Sequence, residues 1–433
     1  MFRTMKYHYK CNNVEQRILM FLFHISKNLY NSSLFTLRQE YFSKKKMSSY
    51  FNLNKKLKDN ENFHILNTYA SICTIRQAHT AMSLFVKKKN KMPRYLSKKD
   101  VYAIYTDQVR PITYLNKAYI KLPLSNIVRT NKLFNMKFND SLINEFIKEM
   151  NLTKITNIYF PIPKEIINSN IRQARIIPKY HGKYIEVEFS YEKEIIEDNT
   201  LIKSNNNTMA IDVGINNLLT LVCGNNNSYI IDGKRLKSIN QFYNKQKAKY
   251  QSKAKDNQYT KRMYHLDIRN KNQVNDYLNK AVKQVITISK QEQVNKIVIG
   301  YNKGLKQNGI KNELLTKKEK AKINQSFVRI PLTKLINKIK LKCEENHIEY
   351  QEVNESYTSK ASFYDYDNIR LEETYSGQRI KRGLYLTKNK LIVNADVNGA
   401  LNILRKSKPN DDEEIHYLMV RGLTIPKRLQ VIL

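Results

Sequence analysis

Little in this chain would make it a stapled, membrane-spanning or nucleotide-hydrolysing protein. Its 433 residues hold four cysteines, Cys11, Cys73, Cys223 and Cys343, far apart and with no C-x-x-C pair. That usage signals neither a zinc ribbon nor a disulfide framework, and fits a reducing compartment. Long apolar runs are missing too. The longest early one, Ile18 to Phe23 (ILMFLF), is followed at once by His24 and Lys27, too short to span a bilayer. No small-residue cleavage site comes after it. Only 11 glycines are present, none in a G-x-x-x-x-G-K-[ST] or G-x-G-x-x-G setting, so a P-loop ATPase and a dinucleotide enzyme are disfavoured. Acids are scarce: 38 Asp and Glu face 76 Lys and Arg, a formal charge of +38.

What is present is a foldable chain with a strong positive field. At 41% hydrophobic and 10% aromatic residues, it carries too many core-formers for a disordered basic tail. The length suits two or three domains. A balance so far from zero points to a polyphosphate or an anionic membrane as partner. The charge is unevenly spread. Residues 1–100 carry 20 basic and 5 acidic groups, residues 101–200 carry 14 and 11, residues 234–342 carry 28 and 6, and the remainder after 342 carries 13 and 14. Two basic regions therefore flank a near-neutral one. A charge run is ordinarily a solvated face, but +22 within residues 234–342 exceeds what solubility requires.

Hydrophobic spacing predicts the organisation. Ile18, Leu22, Ile25 and Leu29 recur at helical intervals, and residues 15 to about 90 read as a helical unit with basic faces, closed by Pro93. From Tyr95 to about Glu197 short β-type runs such as YIKLPL and YIEVEFSYE are broken by prolines, with one helix expected near 140–150. The run Ser204 to Asn207 marks the next boundary. Beyond it TMAIDVGI, LLTLVC and SYIID read as three strands of a meander, followed by a basic helical stretch over about 235–292. Then come the strand NKIVIG, a helix over about 330–346, the strand IEYQEV, and a strand running into a helix at LIVNADVNGALNILRK. Three antiparallel strands followed by crossovers to two strands parallel with the first is the RNase H-like order.

In that order the first strand is central, and an acid halfway along it projects over the sheet face. Asp212 sits so, between apolar neighbours where a lone charge is expensive. It is either a metal ligand or a strand-end Asp bonded to backbone amides. Asp396 opens the last helix, either as an ordinary N-cap or as the second ligand. A two-metal phosphodiester nuclease needs bridging carboxylates to hold ions about 3.5–4 Å apart. A third acid belongs at the end of the NKIVIG strand, where this chain has Gly300, Tyr301, Asn302 and Lys303.

IDVGINNLLTLV, IVIGYNKG, the YTSK of Tyr357 to Lys360, and NADVNGALNIL resemble the RuvC blocks of the transposon-encoded RNA-guided nucleases called TnpB, whose eukaryotic and giant-virus relatives are called Fanzor. NLYNSSL at Asn28 to Leu34 and the MPRY near Pro93 resemble, more weakly, the family's helical recognition region and its exit. The resemblance implies an α+β multidomain protein. Residues 1–14 would supply the first strand of a wedge-like β domain, 15–92 a helical recognition domain, 93–203 a wedge-like β-barrel and 204–433 a RuvC nuclease domain with mixed sheet. Residues 361–390 would form its target-nucleic-acid-binding insert.

Two departures from the family pattern matter. Most relatives carry a glutamate directly after the IVI strand, where this chain has Gly300, and most carry a C-x-x-C pair after Y-T-S, where it has SKASFYDYDN. No zinc is therefore expected. Part of the family has moved its catalytic glutamate, and Glu355 in NESYTSK is the candidate, with Glu352 second. The fourth and fifth strands would be parallel neighbours about 4.8 Å apart, so a glutamate past either could reach the same metals.

The resemblance thus implies a Mg²⁺-dependent RNA-guided DNA endonuclease with Asp212, Glu355 and Asp396 as catalytic residues and ligands of two Mg²⁺. Lys303, Lys306, Tyr357, Lys360, Arg379 and Arg382 are the candidate nucleic-acid contacts. The expected partners are an omega-type guide RNA from the element end and target double-stranded DNA, with neither a membrane nor a protein partner evident. A TnpB-like protein would work in a prokaryotic cytoplasm, a Fanzor-like one in a nucleus or viral factory. Two other readings stay open: an RNA-guided DNA-binding repressor whose site no longer cuts, and an RNase H-type transposase acting alone, for which no helix-turn-helix is evident.

Overall fold

The computed structural model describes residues 2–114, 116–129, 144–145, 147, 156–180, 182–193, 207–254, 259–302, 330–381, 383–408 and 426–431. It is an α+β chain in two compact units, Met1–Ile195 and Ile196–Leu433. The helix expected near 140–150 falls largely outside the described residues. No helix among those described is long and apolar enough to cross a membrane.

The first unit opens with β1 (Phe2–Tyr9), then α1 (Asn13–Lys44), α2 (Tyr50–Lys56), α3 (Glu61–Ile65) and α4 (Thr68–Val86). Asn12 starts α1 with a reciprocal cap: its side chain accepts from the Glu15 N–H at 2.8 Å, and the Glu15 carboxylate accepts from the Asn12 N–H at 3.1 Å. Ile18, Leu22, Ile25 and Leu29 are all buried, as their spacing predicts. Next come β2 (Ile104–Thr106), β3 (Pro111–Tyr114), β4 (Lys117–Pro123), the short α5 (Asn126–Arg129), β5 (Asn157–Pro161), β6 (Asn170–Lys179) and β7 (Tyr184–Glu192). They form a four-stranded sheet ordered β1-β7-β6-β2 and a three-stranded sheet ordered β3-β4-β5. Among the described residues no strand pairing joins the two into a closed barrel.

The second unit is built on a six-stranded mixed sheet. Its strands are β8 (Thr208–Val213), β9 (Asn217–Cys223), β10 (Ser228–Asp232), β11 (Lys296–Gly300), β12 (Glu349–Val353) and β16 (Lys427–Leu429), in the order β12-β11-β8-β9-β10-β16. β8, β9 and β10 are an antiparallel meander, and β11 runs parallel to both β8 and β12. That is the predicted order, with β8 inside the sheet. One strand was not foreseen: β16 adds to the far edge, parallel to β10.

Strand alternation sends the two faces of β8 to different cores. Met209 and Ile211 join a core containing Tyr277, Leu278 and Val285 of α7 (Lys261–Gln291) and Leu335 and Ile339 of α8 (Leu332–Glu345). Ala210 joins the opposite one, with Val222, Val298 and the buried Val397, Ala400, Leu401, Ile403 and Leu404 of α9 (Ala395–Ser407). Helix α6 (Lys234–Ser252) lies between β10 and α7 in the chain. The segment between β12 and α9 carries a small antiparallel sheet, β13 (Gln378–Lys381), β14 (Leu384–Leu386) and β15 (Ile392–Asn394).

Candidate active site

Asp212 follows Ala210 by two residues, so it shares the sheet face that α9 covers. The helix passes close: a Cβ built on Gly399 would lie 3.4 Å from the Asp212 Oδ2. Glycine at the crossing and alanine beneath it leave room for a carboxylate between sheet and helix. Asp212 keeps some surface open, yet it lies deep among protein atoms. Burial, then the charges of Asp396 and Glu355, push its carboxyl up to about 7. A carboxyl that senses two others in this way belongs to a cluster of acids, and an N–H from Val213 offsets only part of the effect.

Asp396 lies in the first turn of α9, but it is not the cap. Asn394 is: its side-chain oxygen accepts from the N–H groups of Asp396 at 3.0 Å and Val397 at 3.2 Å. The N-cap reading of Asp396 is thereby excluded, and its carboxylate is left for other partners. Its Oδ2 accepts from the Asn217 side-chain amide at 2.6 Å, and its Oδ1 from Arg379 on β13 at 3.3 Å.

Glu355 stands just past β12, and burial pushes its carboxyl above the ordinary range. Three residues on one face of α9, spaced four apart, hold the segment around it. The Lys406 ammonium donates to the carbonyls of Asn354 at 3.1 Å and Ser356 at 2.7 Å, one on each side of Glu355. Asn402 donates to the carbonyls of Thr358 and Ala361 at 2.9 and 2.8 Å, and Asn398 donates to Ala361 at 2.8 Å while accepting from the Phe363 N–H. Asn398 and Asn402 are fully buried. The helix that carries Asp396 thus also fixes the turn that carries Glu355.

The second candidate, Glu352, faces away. It accepts from the Tyr350 hydroxyl at 2.9 Å, and Tyr350 packs against the core on the opposite side of the sheet from Asp212. Of the candidate nucleic-acid contacts, Arg379 reaches Asp396. Tyr357 and Lys360 lie in the turn after Glu355, with Tyr357 in the left-handed region at φ 68°. Lys303, Lys306 and Arg382 lie outside the described residues. In the 361–390 segment carboxylates gather the arms: Asp367 accepts from the Ser362 N–H at 2.8 Å and the Ser376 N–H at 3.1 Å, and Asp365 from the Lys388 N–H at 2.9 Å.

Among the described residues no three His, Cys, Asp or Glu side chains converge tightly enough to hold an ion as they stand. The donor set nonetheless fits one. Asp212 feels the charges of Asp396 and Glu355, all donors are oxygen, and Arg379 pairs with Asp396, which is the environment a hard divalent ion takes over. Sequence reasoning missed Asn217, Asn398, Asn402, Lys406 and Arg428. Polar residues at intervals of four along an otherwise apolar helix face were the available signal for Asn398, Asn402 and Lys406; Asn217 and Arg428 offered none.

Comparison with known proteins divides along the same segments. Residues 188–306, which include Asp212, match the family described as OrfB_IS605, probable transposase. Residues 333–403, which include Glu355 and Asp396, match the Cas12f1-like TNB domain. Two stretches of the chain are thus similar to a TnpB/Cas12-type family. Among solved structures, the fold of this chain is similar to the protein in a cryo-EM structure of a Cas12f1–sgRNA–target DNA complex. The TM-score is 0.56 at 16% identity, over 90% of this chain and 83% of that one. A CRISPR–Cas12f ternary complex matches at 14% identity over 89% and 80%, with a TM-score of 0.35, too low to bear on the fold. No curated protein matches the chain.

Proposed function

We propose that this chain is an RNA-guided DNA endonuclease of a mobile element, cutting target DNA next to a short adjacent motif. The observation that supports this reading is the place of Asp212 on the sheet face against α9, where it feels the charges of Asp396 and Glu355 from two other stretches of sequence. Asp212 and Asp396 would each hold Mg²⁺ from the sheet and the helix, and Glu355 would supply the carboxylate that the glycine at 300 cannot. Bound there, two Mg²⁺ would activate a water and stabilise the leaving 3′ oxygen of an in-line displacement.

The chain's own residues perform the rest. The α9 face of Asn398, Asn402 and Lys406 keeps the Glu355 turn in place, so the third carboxylate stays rigid. Arg379, half exposed beside Asp396, can exchange that carboxylate for a target-strand phosphate. The basic helices α6 and α7 would contact the guide RNA and heteroduplex backbone in a salt-sensitive manner. An omega-type guide RNA and double-stranded DNA are the proposed partners, in keeping with the RNA and DNA in the similar Cas12f1 complex. Within the chain, 15–92 would be the recognition domain, 1–14 with 93–203 the wedge-like domain, and 204–433 the nuclease with its 361–390 insert.

Substitution tests the reading. Asp212→Ala should abolish Mg²⁺-dependent cleavage while leaving RNA and DNA binding unchanged. Retained cutting by that variant would overturn the assignment.

A further inference from the structure

Asp396 is held from behind by a chain of hydrogen bonds that begins at the sheet edge. The Arg428 guanidinium, on β16, donates through one nitrogen to the Asp232 Oδ1 at 2.8 Å and through another to the Asn217 Oδ1 at 2.9 Å. Asn217 then donates from Nδ2 to the Asp396 Oδ2 at 2.6 Å. Asp232 is fixed in turn by the Lys234 N–H, which donates to its Oδ2 at 2.9 Å.

The polarity of this chain is forced. A guanidinium can only donate and an ionised carboxylate can only accept. An amide placed between the two must therefore turn its oxygen to Arg428 and its NH₂ to Asp396. Without Arg428 the Asn217 oxygen loses the donor that anchors it, and the amide, held only by its bond to Asp396, can swing away from that carboxylate. The location also fits. Asn217 is the first residue of β9 and pairs with Asp232, the last of β10, at a shift in register, so both side chains meet at one sheet corner. β16 reaches that corner by pairing in parallel with β10, Arg428 opposite Ile230.

We propose that Asn217 is a positioning residue for Asp396, and that Arg428 of the C-terminal strand sets the Asn217 amide for that task. The proposal rests on reading Asp396 as a metal ligand. It leaves the carboxylate with one oxygen pinned by Asn217 and the other facing Arg379, an exposed side chain that can move aside. Groups that orient a ligand from behind typically change metal affinity by 10- to 100-fold when removed. It also gives β16, which follows all three proposed ligands in the chain, a role in the site.

The test uses Mn²⁺ as probe, with binding to the full chain followed by loss of the free-ion EPR signal. Asn217→Ala and Arg428→Ala should each weaken binding about tenfold with unchanged circular dichroism. The double variant should be no weaker than Asn217→Ala, because the two act in series. Arg428→Lys keeps a cation for Asp232 but lacks the fork, so it reads the same loss should the alanine variant disturb the edge strand. Wild-type Mn²⁺ affinity in Asn217→Ala, or in both Arg428 variants, would overturn the proposal, as would losses that multiply in the double variant. Asp396→Asn separates the two claims. If it alone weakens binding, Asp396 is a ligand and the support is wrong; if it too binds as the wild type does, the ligand reading itself fails.

Discussion

Ile403 of α9 occupies the space that a side chain at position 300 would need, with Glu355 close beside it. A Cβ built on Gly300 falls 3.3 Å from the Glu355 Cβ and 2.3 Å from the Cδ1 of Ile403 on α9. The end of β11 is therefore closed off by α9, with the turn after β12 next to it. Ile403 fills that place, and β11 ends without a side chain.

Gly300→Ala should destabilise the protein by about 1–3 kcal/mol, the usual effect of forcing a methyl into a filled core. Ile403→Val removes the Cδ1 that the new methyl would meet. Thermal unfolding should show the double variant to be less destabilised than the sum of the singles, a departure from additivity expected of groups in contact.

Asn402→Ala leaves the buried carbonyl of Thr358 without its donor, and Ala361 with one donor in place of two. The expected loss is about 1–3 kcal/mol in thermal unfolding. Lys406→Ala acts at the partly exposed end of the same ladder and should barely move the melting temperature. It should still slow cleavage, since it frees the backbone on both sides of Glu355.

Much of this site is legible in the sequence, and the illegible part has a physical explanation. Asp212 announces itself as a charge inside an apolar strand, and the strand order follows from hydrophobic runs. Asp396 is ambiguous, because Asp one residue inside a helix and Asp at its cap look alike until Asn394 is seen to take the cap. Glu355 is a candidate through the family resemblance, supported by the nearness of two parallel strand ends. Asn217 pairs with a residue 179 positions away and Arg428 with one 211 positions away. The strand that carries Arg428 spans three residues, KRL, with no alternation to reveal it. Contacts of that kind are set by the assembled sheet, not by local pattern.

Acid and alkaline stability should differ without metal. Burial and two neighbouring carboxylates raise the Asp212 carboxyl from 3.8 to about 7 in the folded chain. A group whose pKa is raised by folding contributes its full stability below its unfolded value and loses it as pH rises through the folded one. In EDTA the wild type should therefore lose stability between about pH 4 and pH 7, and Asp212→Asn should not. Thermal unfolding at about pH 8 should show Asp212→Asn several degrees more stable, with the gap closing near pH 4 and narrowing when Mg²⁺ is added.

The central claim is that Glu355 completes a cutting site with Asp212 and Asp396. The most direct measurement is plasmid cleavage by the protein co-purified with RNA from its own locus, in Mg²⁺ and in EDTA, comparing the wild type with Glu355→Gln. The account predicts cutting by the wild type in Mg²⁺ alone, and none by Glu355→Gln despite unchanged RNA and DNA binding. Cutting by Glu355→Gln at the wild-type rate would contradict it.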